Sequence, residues 1–220
     1  LLTGYLGSGK TTLLNRILTN RRGIRFAVIV NDIGEVNIDA ELIQKGGIVA
    51  QQDDSLVTLQ NGCICCSLKM DLVEQLRDLC TATSEPLNFS TPEPSKPRFD
   101  YIVIEASGIC EPAPIAQTIC SYSSLSPISN SPSPKLDAVV TVVDALRLRD
   151  EFISQLSSIA NSQLPIAKAD DLASLVIEQI EFCNLILFNK VSMVSSEERE
   201  HIRAIIRAIQ PKAKIIDCDY

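Results

Sequence analysis

Apolar residues in this chain fall into short continuous runs, separated by longer stretches with helical spacing. Arg25–Val30, Asp100–Glu105, Asp137–Val143 and Cys183–Phe188 each read as a strand, and Lys214–Ile216 begins a fifth. A run without polar alternation is what a parallel strand covered on both faces requires. Between the runs, Thr11–Thr19 and Leu68–Cys80 have helical periodicity, the second with Leu68, Leu72, Leu76 and Leu79 on its apolar side. Ser195–Ile209 opens on Ser195-Ser196-Glu197-Glu198, a capping signature, and lines up Ile202, Ile205, Ile206 and Ile209. Strand and helix in alternation predict an α/β fold, a mostly parallel sheet with helices on both faces. Ser84–Arg98 and Ser121–Pro134, rich in Pro and Ser, read as surface loops, and Ser157–Leu172 is ambiguous.

The 220 residues suffice for one domain spanning 1–220. The opening Leu1-Leu2-Thr3-Gly4 is expected to be the tail of a strand that begins outside the chain. A net charge of −7 argues against broad binding to nucleic acid, whose phosphates need Lys and Arg. No apolar run approaches the roughly 20 residues of a bilayer span, and no secretory signal pattern is present. The expectation is a cytoplasmic protein that engages neither membrane nor nucleic acid and is compatible with an oligomer.

Gly4-Tyr5-Leu6-Gly7-Ser8-Gly9-Lys10-Thr11 matches the phosphate-loop pattern G-x-x-x-x-G-K-[ST] without a mismatch. Gly4, Gly7, Ser8 and Gly9 would turn backbone N–H groups toward a phosphate chain, at the positive end of the following helix, with Thr12 beside them. Lys10 would reach the β- and γ-phosphates and the Thr11 hydroxyl would ligate Mg²⁺. The motif narrows the fold to a three-layer P-loop NTPase. The second acidic element is Glu105, which ends an apolar run and would hold Mg²⁺ through water. The Gly108 amide is placed to sense the γ-phosphate and move on hydrolysis. Asn189-Lys190 closes the Cys183–Phe188 run, where Asn-Lys-x-Asp reads guanine in GTPases. Here Ser192 stands at the Asp position, and a hydroxyl cannot supply a bidentate carboxylate.

Eight cysteines and one histidine occur, and three of the cysteines crowd into Cys63-Ile64-Cys65-Cys66. Three soft thiolates in four residues suit Zn²⁺ or Cu⁺. A redox dithiol and buried structural cysteines are the competing readings. Zinc prefers four ligands, and Glu35 is the candidate carboxylate, with water the other choice. Cys80, Cys110, Cys120, Cys183 and Cys218 read as core or incidental, and His201 as solvated.

Taken together, the motifs resemble the CobW-like metallochaperone GTPases. The resemblance rests on Thr3–Asn15, Asn31-Asp32-Ile33-Gly34-Glu35, Asn61–Cys66, Ile104–Pro114, Val143-Asp144-Ala145 and Phe188-Asn189-Lys190, in family order across nearly the whole chain. It implies GTP hydrolysis to GDP coupled to delivery of a metal, commonly zinc or cobalt, to a client protein. It also implies that Asp32 and Glu35 belong to the first switch-like loop. In that reading Asp32 contacts Mg²⁺ or the attacking water, and Glu35 joins Cys63, Cys65 and Cys66 on the transported metal. Besides Ser192, Val30 departs from the pattern, standing where some members carry an acidic ligand. The smaller C-terminal domain typical of the family is expected to lie outside this chain.

Two other function classes compete. One is a nucleotide-binding scaffold with weak or no hydrolysis that docks a partner, a reading that Ser192 motivates. The other is a nucleotide kinase, which needs an arginine-rich lid. Arg21-Arg22 and Arg147-Leu148-Arg149 are the close arginine pairs, and neither sits in an evident lid.

Overall fold

The computed structural model describes residues 1–19, 22–31, 56–59, 69–81, 99–125, 133–152 and 171–220. They group into two compact units. One joins Leu1–Leu13, Ala106–Pro112 and Ala138–Tyr220, and the other joins Leu14–Glu105 and Ala113–Asp137.

In the first unit the strands β1 (Leu2–Thr3), β5 (Val140–Asp144), β6 (Leu185–Asn189) and β7 (Lys214–Asp217) lie side by side in that order. All three pairings are parallel. Val142, Val143, Ile186 and Phe188 are buried, whereas Leu185 and Leu187 of β6 are half-buried. Two longer helices described in this unit are α4 (Asp171–Glu181) and α5 (Ser196–Ile209). α5 starts where the sequence says it should. Ser195 Oγ accepts from the Glu198 amide at 3.2 Å, and the Glu198 carboxylate accepts from the Ser195 amide at 2.8 Å. Its Ile202, Ile205 and Ile206 are buried. α4 went unassigned in the sequence, although Ala173, Val176, Ile177 and Ile180 form a buried helical stripe.

The second unit holds β2 (Phe26–Asn31) between β3 (Leu56–Leu59) and β4 (Tyr101–Glu105), again in parallel register. Ala27, Val28, Ile29 and Val30 are all at most 2% exposed, so β2 is a central strand. α1 (Lys10–Leu18) follows β1, and α2 (Lys69–Thr81) buries Leu72, Leu76 and Leu79. The four-residue β3 is too short to show a pattern of its own.

α3 (Pro112–Leu125) corrects the sequence reading, which ended ordered structure before Ser121. Pro112 takes the first helical position, where its missing N–H is no loss. Thr118, Ser123 and Ser124 each return a hydroxyl to the carbonyl four residues back, at 2.9 Å. That local bond lets a serine-rich stretch stay helical. Among the described residues no helix is long and apolar enough to cross a membrane.

Ile206→Ala removes a side chain with no exposed surface. It should cost about 2–5 kcal/mol, read as a lower urea midpoint with an unchanged slope. The Ser195 amide and hydroxyl hold the Glu198 carboxyl below the usual carboxylate range. A depressed folded pKa gives stability that is present at neutral pH and lost as pH falls through that lowered value. The difference in melting temperature between wild type and Glu198→Gln should therefore shrink on acidification; a constant difference would remove the cap from the account.

Candidate functional site

The loop between β1 and α1 is shaped by glycine. Gly4, Gly7 and Gly9 have φ of 135°, 74° and 110°. At Gly9 no other residue fits, because an added Cβ would lie 2.5 Å from Asn189 Nδ2. Lys10 opens α1 and is only 7% exposed. Its Nζ donates to the carbonyls of Gly4 at 2.9 Å and Tyr5 at 3.4 Å. Ser8 Oγ is buried without a hydrogen-bond partner among the described residues. Thr11 is half-buried on the first turn of α1 and Thr12 is exposed.

Three side chains from the ends of β5 and β6 grip this loop on consecutive carbonyls. Arg147 donates to Leu6 O, Lys190 Nζ to Gly7 O at 3.0 Å, and Asn189 Nδ2 to Ser8 O at 2.9 Å. In a trans peptide the carbonyl and the next N–H point opposite ways. The amides of Gly7, Ser8 and Gly9 are therefore turned away from the three gripping side chains. The Ser8 amide donates within the loop to Tyr5 O at 3.2 Å; amides turned outward at a helix N-terminus, with a buried ammonium beside them, suit an anion.

The gripping residues are themselves fixed. Asp144 faces Asn189 across the β5–β6 pairing, at the carboxyl ends of the strands where open α/β sheets bind ligands. The Asp144 carboxylate pairs with Lys190 Nζ and accepts from the Arg147 amide at 3.1 Å. The Arg147 guanidinium lies 4.7 Å from the Tyr5 ring centroid. Asn189 is fully buried, and its Oδ1 accepts from the Tyr220 amide at 3.1 Å. Lys190 has φ of 58°, a left-handed conformation that costs a non-glycine residue about 1–2 kcal/mol. Such strain persists only where the surroundings dictate it, and here Nζ is held by both Gly7 O and the Asp144 carboxylate.

The Gly108 turn belongs to the same unit. An added Cβ on Gly108 would lie 2.7 Å from the Leu6 backbone nitrogen, so the turn packs directly on the phosphate loop. Gln179 of α4, 1% exposed, donates from Nε2 to the carbonyls of both Gly108 and Cys110 at 3.2 Å. The carbonyl of Gln179 in turn accepts from Thr141 Oγ1 at 2.7 Å, and Thr141 Oγ1 also bonds Thr3 Oγ1 at 2.9 Å. Glu105, the last residue of β4, is 2% exposed in the second unit. Cys110 is fully buried, in keeping with its reading as a core residue. Cys80, Cys120, Cys183 and Cys218 are free, and burial pushes the Cys183 thiol above its usual range.

A family model described as CobW/HypB/UreG, nucleotide-binding domain, matches residues 1–217. The chain belongs to this family. Among curated relatives it is 38% identical to the zinc-regulated GTPase metalloprotein activator 1 of Dictyostelium discoideum, over 98% of this chain and 44% of that protein. It is 34% identical to the zinc chaperone YjiA of Escherichia coli, over 92% of this chain and 52% of that protein. The chain thus spans about half the length of the curated relatives it matches. Among solved structures, the zinc-bound YjiA GTPase from E. coli matches with a TM-score of 0.54 at 25% identity, over 98% of this chain and 55% of that one. Nickel-complexed HypB from Helicobacter pylori matches with a TM-score of 0.50 at 18% identity, over 99% and 77% of the two chains, and supports the α/β fold alone.

Within this CobW/HypB/UreG-family chain, Gly4, Gly7, Ser8, Gly9, Lys10, Gly108, Asn189 and Lys190 lie together, with Thr11 beside them on α1. Asp32, Glu35, Cys63, Cys65 and Cys66 lie outside the described residues. The sequence reading assigned no role to Arg147, Asp144 or Gln179. Asp144 had a detectable signal, an acid directly after an apolar run, as at Glu105. Gln179 had none, because it sits inside an unassigned helix.

Gln179→Leu leaves the Gly108 and Cys110 carbonyls buried without their donor. The loss should be about 1–3 kcal/mol of stability, with faster amide exchange confined first to the 107–110 turn. Unchanged exchange there would mean the turn is held by something else.

Proposed function

We propose that this domain binds GTP with Mg²⁺, hydrolyses it to GDP and phosphate, and couples that cycle to loading and release of zinc for a client protein in the cytoplasm. The observation that carries the reading is the phosphate loop gripped on three consecutive carbonyls by Arg147, Lys190 and Asn189. The names of the relatives support the coupling to zinc, since they are called a zinc-regulated GTPase metalloprotein activator and a zinc chaperone.

The chain's own residues divide the work as follows. The amides turned out by the loop bind the phosphates, and Lys10 neutralises charge that builds on the γ-phosphoryl group. Water attacks phosphorus as the bond to the GDP oxygen breaks, with Asp32 contacting either Mg²⁺ or that water. Thr11 and Glu105 offer hard oxygen donors of the kind Mg²⁺ takes. When bound there, Mg²⁺ would supply neutralisation of the phosphate charge. Gly108 reports the γ-phosphate through its turn. Zinc, the cargo, is held by the thiolates of Cys63, Cys65 and Cys66 with Glu35 as the oxygen ligand.

If nucleotide and zinc share one switch, their affinities are coupled by the same factor in both directions. Zinc titration should shift GTP affinity, GTP should shift zinc affinity equally, and Cys65→Ala should abolish both shifts. Zinc binding the cluster while GTP affinity and turnover stay fixed would sink the coupling. Absence of phosphate release with Mg²⁺, with and without zinc, would leave a nucleotide-binding scaffold in place of a GTPase.

A further inference from the structure

The guanine-reading position holds Ser192, whose hydroxyl cannot replace a carboxylate. The structure nevertheless brings a carboxylate to that position from elsewhere in the chain. β7 runs parallel to β6 with Phe188 level with Asp217, and the pairing continues past the strands, the Cys218 amide donating to Phe188 O at 2.9 Å. The Tyr220 amide then bonds Asn189 Oδ1 at 3.1 Å. Residues 218–220 therefore track residues 188–190, and Asp219 comes level with the turn that carries Ser192. Its Oδ1 accepts from both the Ser192 amide, at 3.1 Å, and the Ser192 hydroxyl, at 3.0 Å.

We propose that Asp219, from the segment after β7, supplies the guanine-reading carboxylate that Ser192 lacks. This rests on the GTP reading above and names the residue that sets its base specificity. Guanine presents N1–H and the N2 amino group side by side, and a carboxylate accepts from both at once. The Ser192 amide fixes Oδ1, while the hydroxyl is a rotor that can yield its bond to N1–H. Asp219 is exposed, and no donor reaches its Oδ2 among the described residues, which leaves that oxygen for the amino group. The neighbouring positions fit a base site. Asn189 joins the phosphate loop to Tyr220, and an added Cβ on Gly9 would lie 3.8 Å from Tyr220 Cδ2. The segment bearing Asp219 is thus anchored against the loop that holds the phosphates. The alternative is a capping role in which Asp219 only stabilises the turn Val191–Met193. Capping has no means of telling one base from another.

Asp219→Asn discriminates the two, because an Asn oxygen still accepts both Ser192 bonds while its amide group becomes a donor. Xanthine carries a 2-oxo group where guanine carries the amino group, so it complements Asn. Equilibrium binding of GTP, XTP and ATP is measured on the full chain, wild type, Asp219→Asn and Ser192→Ala. The expected result is GTP preference in wild type and in Ser192→Ala. In Asp219→Asn, GTP affinity should fall about 10- to 100-fold, with XTP now preferred. Equal losses for all three nucleotides, no change, or loss of base preference in Ser192→Ala alone would each overturn the assignment to Asp219. Equal GTP and ATP affinity in wild type would overturn the GTP reading itself, and this inference with it.

Discussion

Everything at this site depends on three neighbouring peptide carbonyls being held from behind. Leu6, Gly7 and Ser8 each give their carbonyl oxygen to a different side chain: a guanidinium, an ammonium and a carboxamide. Peptide planarity then dictates where the intervening amides face. Glycine alone would permit that geometry among many others. The donors from the β5 and β6 ends select it.

The selection has an energetic side. Lys190 is strained in its backbone, and it shares its ammonium between Gly7 O and the mostly buried carboxylate of Asp144. Leaving Asp144 buried without a cation would be costly, so the pair and the loop stabilise one another. The same buried logic runs through Gln179, which ties the Gly108 turn to α4, and through Thr141, which ties α4 to β5. A change in the Gly108 turn must exchange both Gln179 bonds together, a property suited to a switch with discrete positions.

Much of the fold was legible because burial on both faces of a parallel strand leaves an unbroken apolar run. β2, β4, β5 and β6 all announced themselves that way, and the Ser195–Glu198 box announced α5. β3 was hidden by its length. α3 was hidden by prolines and serines, whose usual meaning is reversed when the proline is the first helical residue and the hydroxyls bond backwards. The glycine-rich loop and its lysine were legible because glycine, lysine and threonine recur there at a fixed spacing. Arg147 and Gln179 were not, since a lone donor aimed at a backbone carbonyl leaves no spacing to detect. Asp219 was invisible for a further reason. Its relation to Ser192 exists only through the pairing of β6 with β7, and no linear motif records it.

The bond between Asn189 and Ser8 joins residues 181 positions apart, and that between Lys190 and Gly7 spans 183. Contacts of that separation form late, because a long segment must be closed before they can be made. During synthesis the glycine motif leaves the ribosome well before β6 does. Until β6 emerges and pairs with β5, the motif has its local Lys10 bonds but lacks the donors Asn189 and Lys190. The backing of the loop is in this way completed only once the sheet has been assembled.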